Sequence, residues 1–305
     1  MRIPIKAMRA SALLAALVLP IALAAQGFGF DHALIDHVTV AGRRLDAMRA
    51  AFTAAAGVPT EYGGPHSNHA TEMALVSFPD GSYLELMGIQ VKPDPAAVAA
   101  HDWSRFLQNN AGPCASALRL TDLSEVQKMK SSGVVVGAPE ASGRTRPDGT
   151  KLVWQTVNLG PGRRGSLFPF LIADLTPREN RAFPSGKPTT DKFGGIANVV
   201  IGVHDLEGAI SQYRKVFRLP APLRQRDARF GADLAWFEGM QIVLAKGLND
   251  ESWLSRRVRE YGDAPVAFIL TAGGGMAGSP SKWFGRSIVW ADDAKLGWRL
   301  GFESF

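Results

Sequence analysis

At 305 residues, with 46% hydrophobic and 20% charged side chains, the chain can bury a sizeable core over about two domains, which excludes a disordered polypeptide. Three of the basic groups behind its net charge of +6 (Arg2, Lys6 and Arg9) lie in the first 24 residues, where there is no acidic group. The remaining +3 comes without a basic helix or an aromatic-interleaved patch, so nucleic acid is not an expected partner. A lone Cys114 excludes an internal disulfide and leaves stability to packing.

In chain order, those three basic residues precede an uncharged apolar run over residues 10–25 that ends in Ala22-Leu23-Ala24. Basic start, short apolar middle and small-residue end is the order of a secretory signal. The run is short against the roughly 20 apolar residues of a membrane span, and Pro20 interrupts it. The expectation is cleavage after Ala24 and export to the periplasm or beyond, with no stable membrane span in the mature chain.

The rest of the sequence repeats itself. Asp36-His37-Val38-Thr39-Val40 reads as a strand, followed by Leu45, Met48, Phe52 and Ala56 at helical spacing and then Pro59. With no gap, Ala197-Asn198-Val199-Val200-Ile201 leads to Leu206, Ala209, Tyr213, Phe217 and Pro220. A copy between them runs over residues 115–120, with Asp122 and Leu123 opening a helix to about Ser131. Asp122 and Asp205 are the expected N-caps. Strand candidates follow each helix: 72–78 and 83–87 in the first copy, 152–159 and 167–172 in the middle one, 232–237 and 241–245 in the next.

A fourth unit from Pro265 onward has strands at 266–270, 288–291 and 298–302, with a Gly-rich segment at 273–278 in place of its helix. Helical connectors are expected at 95–109 and 251–261, and the Pro-, Gly- and Thr-rich stretch at 176–194 is the natural boundary. The organisation read from this is a signal at 1–24, a first module pair at 25–178, a linker at 179–194 and a second pair at 195–305 whose last module is degenerate. The fold class is α+β, built of repeated βαβββ modules.

Several segments point further: Leu34-Ile35-Asp36-His37-Val38, Gly63-Gly64-Pro65-His66, Asp80-Gly81-Ser82-Tyr83-Leu84-Glu85-Leu86, Arg146-Pro147-Asp148-Gly149 followed by Trp154, and Phe168-Pro169-Phe170-Leu171-Ile172. In order and spacing they resemble the vicinal oxygen chelate (VOC) superfamily, and more closely its glyoxalase-like branch. The resemblance covers residues 34 to about 175, with the module pattern continuing to about 246. It implies two cup-shaped, half-open mixed sheets, as in glyoxalases and extradiol dioxygenases. It also implies a divalent metal inside a cup, on residues of the first and last strands of the modules.

Carried over residue by residue, the resemblance makes His37 and Glu85 the metal ligands. An imidazole and a carboxylate suit Zn, Fe, Mn or Ni, and no nucleotide cofactor is expected. Alternation puts Tyr83 and Glu85 on one strand face and Leu84 and Leu86 on the other. The middle copy has Ala115 at the His37 position, and the later copy has Asn198 there and Val243 for Glu85. His66 or His69, in a loop near the rim, would supply a missing ligand. His66, Tyr83, Trp154 and Phe170 are the candidate contacts for a small-molecule ligand. Cys114 has no histidine partner to make it a nucleophile, and His32, His101 and His204 read as structural or exposed. The arginine clusters at 224–229 and 256–259 read as solvated faces.

The first functional reading is an exported, metal-dependent lyase or isomerase acting on a small oxygenated compound, with Glu85 also moving a proton. The alternatives are an extradiol-type dioxygenase and a metal-free small-molecule binding protein. A homodimer is compatible with either class.

Overall fold

A computed structural model describes residues 33–304 apart from 125, 147, 275–277 and 292. The expected signal segment lies outside the described residues. The first module comprises β1 (Leu34–Ala41), α1 (Leu45–Ala56), β2 (Glu61–Pro65), β3 (Thr71–Ser77) and β4 (Tyr83–Ile89). Short helices α2 (Pro95–Ala100) and α3 (Ser104–Gln108) lead into β5 (Gly112–Arg119), β6 (Glu140–Thr145), β7 (Lys151–Val157) and β8 (Phe170–Asp174). After α4 (Arg178–Ala182) come β9 (Phe193–Gly202), α5 (Leu206–Phe217), β10 (Leu223–Asp227), β11 (Ala232–Trp236) and β12 (Ile242–Gly247). The chain closes with α6 (Trp253–Tyr261), β13 (Ala264–Ala272), β14 (Ser281–Trp283), β15 (Arg286–Trp290), α7 (Asp293–Leu296) and β16 (Arg299–Ser304).

These strands form two eight-stranded mixed sheets, ordered β2-β3-β4-β1-β5-β8-β7-β6 and β10-β11-β12-β9-β13-β16-β15-β14. The repeated modules and paired half-open sheets expected from the sequence are therefore present. In each sheet the two first strands run antiparallel at the centre, and each pairs in parallel with the last strand of its own module. The sheet edges β2 and β6 approach each other, and Arg144 Nη1 on β6 donates to the Gly63 carbonyl on β2 at 3.1 Å.

The helical stripes bury as their spacing requires: Leu45, Met48, Phe52 and Ala56 on α1, and Leu206, Ala209, Tyr213 and Phe217 on α5. Gly57 ends α1 in a left-handed conformation (φ 68°) and its N–H caps the Thr53 carbonyl at 2.8 Å, a backbone geometry glycine adopts without strain. The two halves share one core. Phe52 stacks on Trp298 at 6.4 Å, Phe168 stacks on Tyr213 at 5.1 Å, and the Tyr213 hydroxyl donates to the Leu167 carbonyl at 2.6 Å.

Some local expectations change. The middle-copy helix is a 3-10 turn over Val126–Ser132, entered through Asp122, which accepts from Ser124 N at 2.7 Å. Asp205 sits at the N-cap of α5 without a side-chain cap bond. The segment Gly63-Gly64-Pro65 belongs to strand β2, whose backbone pairs with β3 despite its glycines. The first connector is two short helices rather than one.

Candidate functional site

The candidate site is built on a defect in β1. Against β5, His37 lies opposite Ala117 and Ile35 opposite Leu118, so Asp36 is an extra residue in the ladder, a β-bulge. Val38 and Val40 enter the core, while His37 and Thr39 face into the cup. The bulge puts the fully buried Asp36 beside its neighbour, with His37 Nδ1 2.6 Å from Asp36 Oδ1.

Asp36 is held from α4. Arg181 Nη1 and Nη2 donate to the two Asp36 carboxylate oxygens at 2.9 and 2.8 Å, and Arg178 Nη1 adds a further hydrogen bond. Asp174 binds Arg181 at 2.5 and 2.8 Å and so completes the cluster. Burial opposes the charge on Asp36, but the Arg181 charge, the hydrogen bonds from His37 and Arg181, and the Arg178 charge hold its carboxyl well below the usual range. A carboxylate accepts only, so the His37 proton sits on Nδ1 and Nε2 is the ring nitrogen left for the cup.

On β4 the predicted alternation holds, with Tyr83 and Glu85 lining the cup and Leu84 and Leu86 in the core. The Tyr83 ring stacks on His37 at 4.8 Å, and Phe170 meets the imidazole edge-on at 5.4 Å. The Tyr83 hydroxyl accepts from Arg181 at 2.7 Å, and burial pushes its phenol up, so it stays protonated. Glu85 accepts from Thr39 Oγ1 at 3.0 Å, and its other oxygen lies 3.4 Å from His66 Nε2. His66 Nδ1 is 2.8 Å from Thr71 Oγ1. Burial would raise the Glu85 carboxyl, but the His66 hydrogen bond and charge, the His37 charge and the Thr39 hydroxyl together hold it at about 2.

These groups share a cavity of about 680 Å³, which brings His37, Glu85, His66, Tyr83, Trp154 and Phe170 together. His69 also lines it, with a left-handed backbone (φ 57°) and its N–H directed to the His66 carbonyl. His101, expected to be structural or exposed, is part of the wall. Its Nδ1 accepts from Trp103 N at 3.2 Å, and burial lowers its pKa. Cys114 is fully buried with its thiol pushed up by desolvation, as suits a packing residue. His204 pairs with Asp263 on the surface at 2.7 Å.

Sequence reasoning missed Asp36, Arg181 and Arg144. Asp36 was visible beside His37, but strand alternation assigns it to the opposite face. Arg181 lay in the presumed linker, and Arg144 on an edge strand with no apolar period.

Among the described residues no group of three or more His, Cys, Asp or Glu side chains converges on a metal position. Strand register explains why. Bulges at Asp36 and Cys114 make Ala115 the partner-module counterpart of His37, and Ala117 facing Phe170 repeats Thr39 facing Glu85. Two of the four ligand positions in this cup are thus Ala115 and Phe170. His66, expected to supply a missing ligand, lies 3.4 Å from Glu85, but among the described residues it does not complete with His37 and Glu85 the group of three that such a metal ordinarily takes.

The second cup has lost all four: Asn198 and Ala267 stand for the histidines, Val243 and Gly301 for the carboxylates. Its interior is packed with side chains. Phe230, Trp283 and Trp290 lie within 5.3 Å of one another, and Arg286 binds Asn198 Oδ1 at 2.7 Å and Glu303 at 3.0 Å.

A family model described as a glyoxalase-like domain matches residues 35–217. Among solved structures, a hypothetical protein from Staphylococcus aureus is 17% identical with a TM-score of 0.60, over 89% of this chain and 99% of that one. A mutant of 4-hydroxymandelate synthase from Streptomyces coelicolor is 14% identical with a TM-score of 0.54, over 79% of this chain and 71% of that one. Methylmalonyl-CoA epimerase from Mycobacterium tuberculosis is 16% identical with a TM-score of 0.33, over 38% of this chain and 90% of that one. At these identities the first two likenesses establish shared architecture. Comparison with curated proteins finds no match.

Proposed function

The chain belongs to the glyoxalase-like domain family, and on that premise we propose that its N-terminal cup catalyses proton transfer on a small oxygenated organic compound, as an isomerase or lyase. The observation that carries this reading is the Asp36–His37 hydrogen bond at the wall of a cavity that also holds an ionised Glu85. With Nδ1 committed to Asp36, His37 Nε2 takes a proton from a carbon next to a carbonyl. Tyr83 and Phe170 fix the plane of the ring. Once His37 is cationic, the Glu85 carboxylate on the same cavity wall is the negative group that faces it. A carboxyl at about 2 is too weak a base for neutral pH, so Glu85 acts as counter-ion rather than as proton acceptor. Return of the His37 proton to the neighbouring carbon, or to the same carbon on its other face, gives isomerisation; in a lyase the enolate electrons expel a group on the next carbon, which leaves with its bonding pair and takes up the proton held on His37.

Every group in this route is present in the chain, and none of its steps uses a metal. The dioxygenase reading needs a second histidine where Ala115 stands. The test is a screen of small carbonyl compounds in deuterated water, following loss of the proton signal next to the carbonyl, with protein first stripped by a chelator and then reloaded with Zn, Mn, Fe or Ni. Exchange by the stripped protein supports the proposal, and exchange only after reloading replaces it with the metal-dependent form. Ligand binding with no exchange in either state leaves a binding protein. The proposal also places the mature protein outside the cytoplasm, supported by the basic, apolar and small-residue order of residues 1–24. A secreted or periplasmic product whose mass begins at Ala25 would bear it out, and an intact Met1 form in the cytoplasm would overturn it.

A further inference from the structure

We propose that the compound held in the N-terminal cup is a small organic acid, its carboxylate seated on Arg144 and its apolar body against Trp154 and Phe170. This rests on the reading of that cup as the functional site. At hydrogen-bond distance the arginine and carboxylate charges lining the cavity are matched with one exception, Arg144, whose charge Tyr83 and Glu85 favour only from farther away. Arg181 is satisfied by Asp36 and Asp174, Arg164 by Glu140 at 2.6 Å, and Glu85 by Thr39 and His66. Arg144 makes a single hydrogen bond, to the Gly63 carbonyl at 3.1 Å. Among the described residues no carboxylate lies within ion-pair distance of it. A guanidinium in a partly desolvated wall favours a planar, two-oxygen anion that it can bind through two parallel N–H groups.

Two further side chains of the wall are short of partners in the same sense. Thr156 Oγ1 and Trp103 Nε1 are buried without a hydrogen-bond partner, and both residues line the cavity. Each can donate, and Trp103 can only donate, so the wall is rich in donors and needs a ligand that brings acceptor oxygens. Position sets the orientation. Arg144 stands where the sheet edges β2 and β6 meet, whereas Trp154, Phe170 and Ile172 form an apolar cluster with Ala117. A ligand carboxylate turned instead toward Glu85 would meet a like charge. With the acid group at the slit, the carbon skeleton extends along the aromatic wall toward His37.

The experiment is calorimetric titration of the full mature chain with monocarboxylates of about four to ten carbons, aliphatic and aromatic, each paired with its uncharged primary amide, a size range that suits a pocket of this kind. The acids are expected to bind at least about tenfold more tightly than their amides, as a charge-assisted hydrogen bond implies. Arg144→Gln keeps a donor for the Gly63 carbonyl and removes the charge. It should bring acid and amide to within about twofold of each other, chiefly through loss of acid affinity. An unaltered melting temperature and far-ultraviolet dichroism show that the cup is intact. Equal affinity for acids and amides in the wild type, acid preference that survives in Arg144→Gln, or no binding by any acid of the series overturns the proposal. The two readings of the cup fail separately: acid preference without deuterium exchange keeps the anion seat and loses proton transfer, and exchange on neutral carbonyl compounds without acid preference does the reverse.

Discussion

Asp36 Oδ1 and His37 Nδ1 lie 2.6 Å apart although the two residues are consecutive on one strand, a contact that regular alternation forbids and the β-bulge of β1 permits. Asp36→Asn leaves Arg181 and Arg178 facing a neutral amide in a buried cluster. The expected loss is about 3–5 kcal/mol of stability, the range for breaking one side of a buried ion pair. Urea denaturation measures it, and a shift in midpoint no larger than that of an exposed Asp46→Asn control would contradict the cluster's role.

Glu85 makes stability depend on acid pH in a definite direction. Its folded-state carboxyl is held at about 2, below the ordinary 4.5, so its stabilisation is fully present above about 4.5 and disappears as pH falls toward about 2. The side chain is only 14% exposed, so solvent screens this contribution only slightly. Glu85→Gln should therefore lower stability at neutral pH and flatten the pH dependence between about 5 and 2. Denaturation midpoints of both proteins across that range check it; parallel curves would contradict it.

The second cup is filled by packing, so the two cups should respond independently to substitution. Trp283 is fully buried, with its Nε1 donating to Asp227 Oδ2 at 2.6 Å. Trp283→Ala should cost about 3–5 kcal/mol through the cavity it leaves, yet leave ligand affinity in the first cup unchanged where the variant is folded. Thermal unfolding and titration on the same sample separate the two effects.

With Ala115 and Phe170 in two of the four ligand positions, and no group of three ligand side chains converging among the described residues, a divalent ion should contribute little to folding. Dialysis against a chelator should leave the melting temperature within about 1 °C, well inside the change that 1 kcal/mol produces in a chain of this size. A large drop that zinc reverses, absent in His37→Ala/Glu85→Ala, would reinstate the metal site.

Much of the scaffold was legible because it repeats. The pairing of His37 with Asn198 and of Glu85 with Val243, read from sequence spacing, is the pairing in strand register. The cup-facing side of β4 followed from alternation at Tyr83 and Glu85. Edge strands were not legible: β2 carries Gly63, Gly64 and Pro65, and β10 is charged, so neither shows a hydrophobic period. The bulge at Asp36 was invisible because a one-residue slip in pairing leaves no mark on composition. Arg181 was hidden in a segment whose Pro and Gly content reads as a tether, although the helix it sits on is what locks Asp36.

The most direct test of proton transfer in the N-terminal cup compares the wild type with His37→Gln, at equal ligand occupancy, for deuterium incorporation next to the carbonyl of a bound compound. The account predicts a loss of at least about a hundredfold in exchange rate with ligand affinity preserved, the scale of a removed general base. Exchange at the wild-type rate in His37→Gln would contradict it.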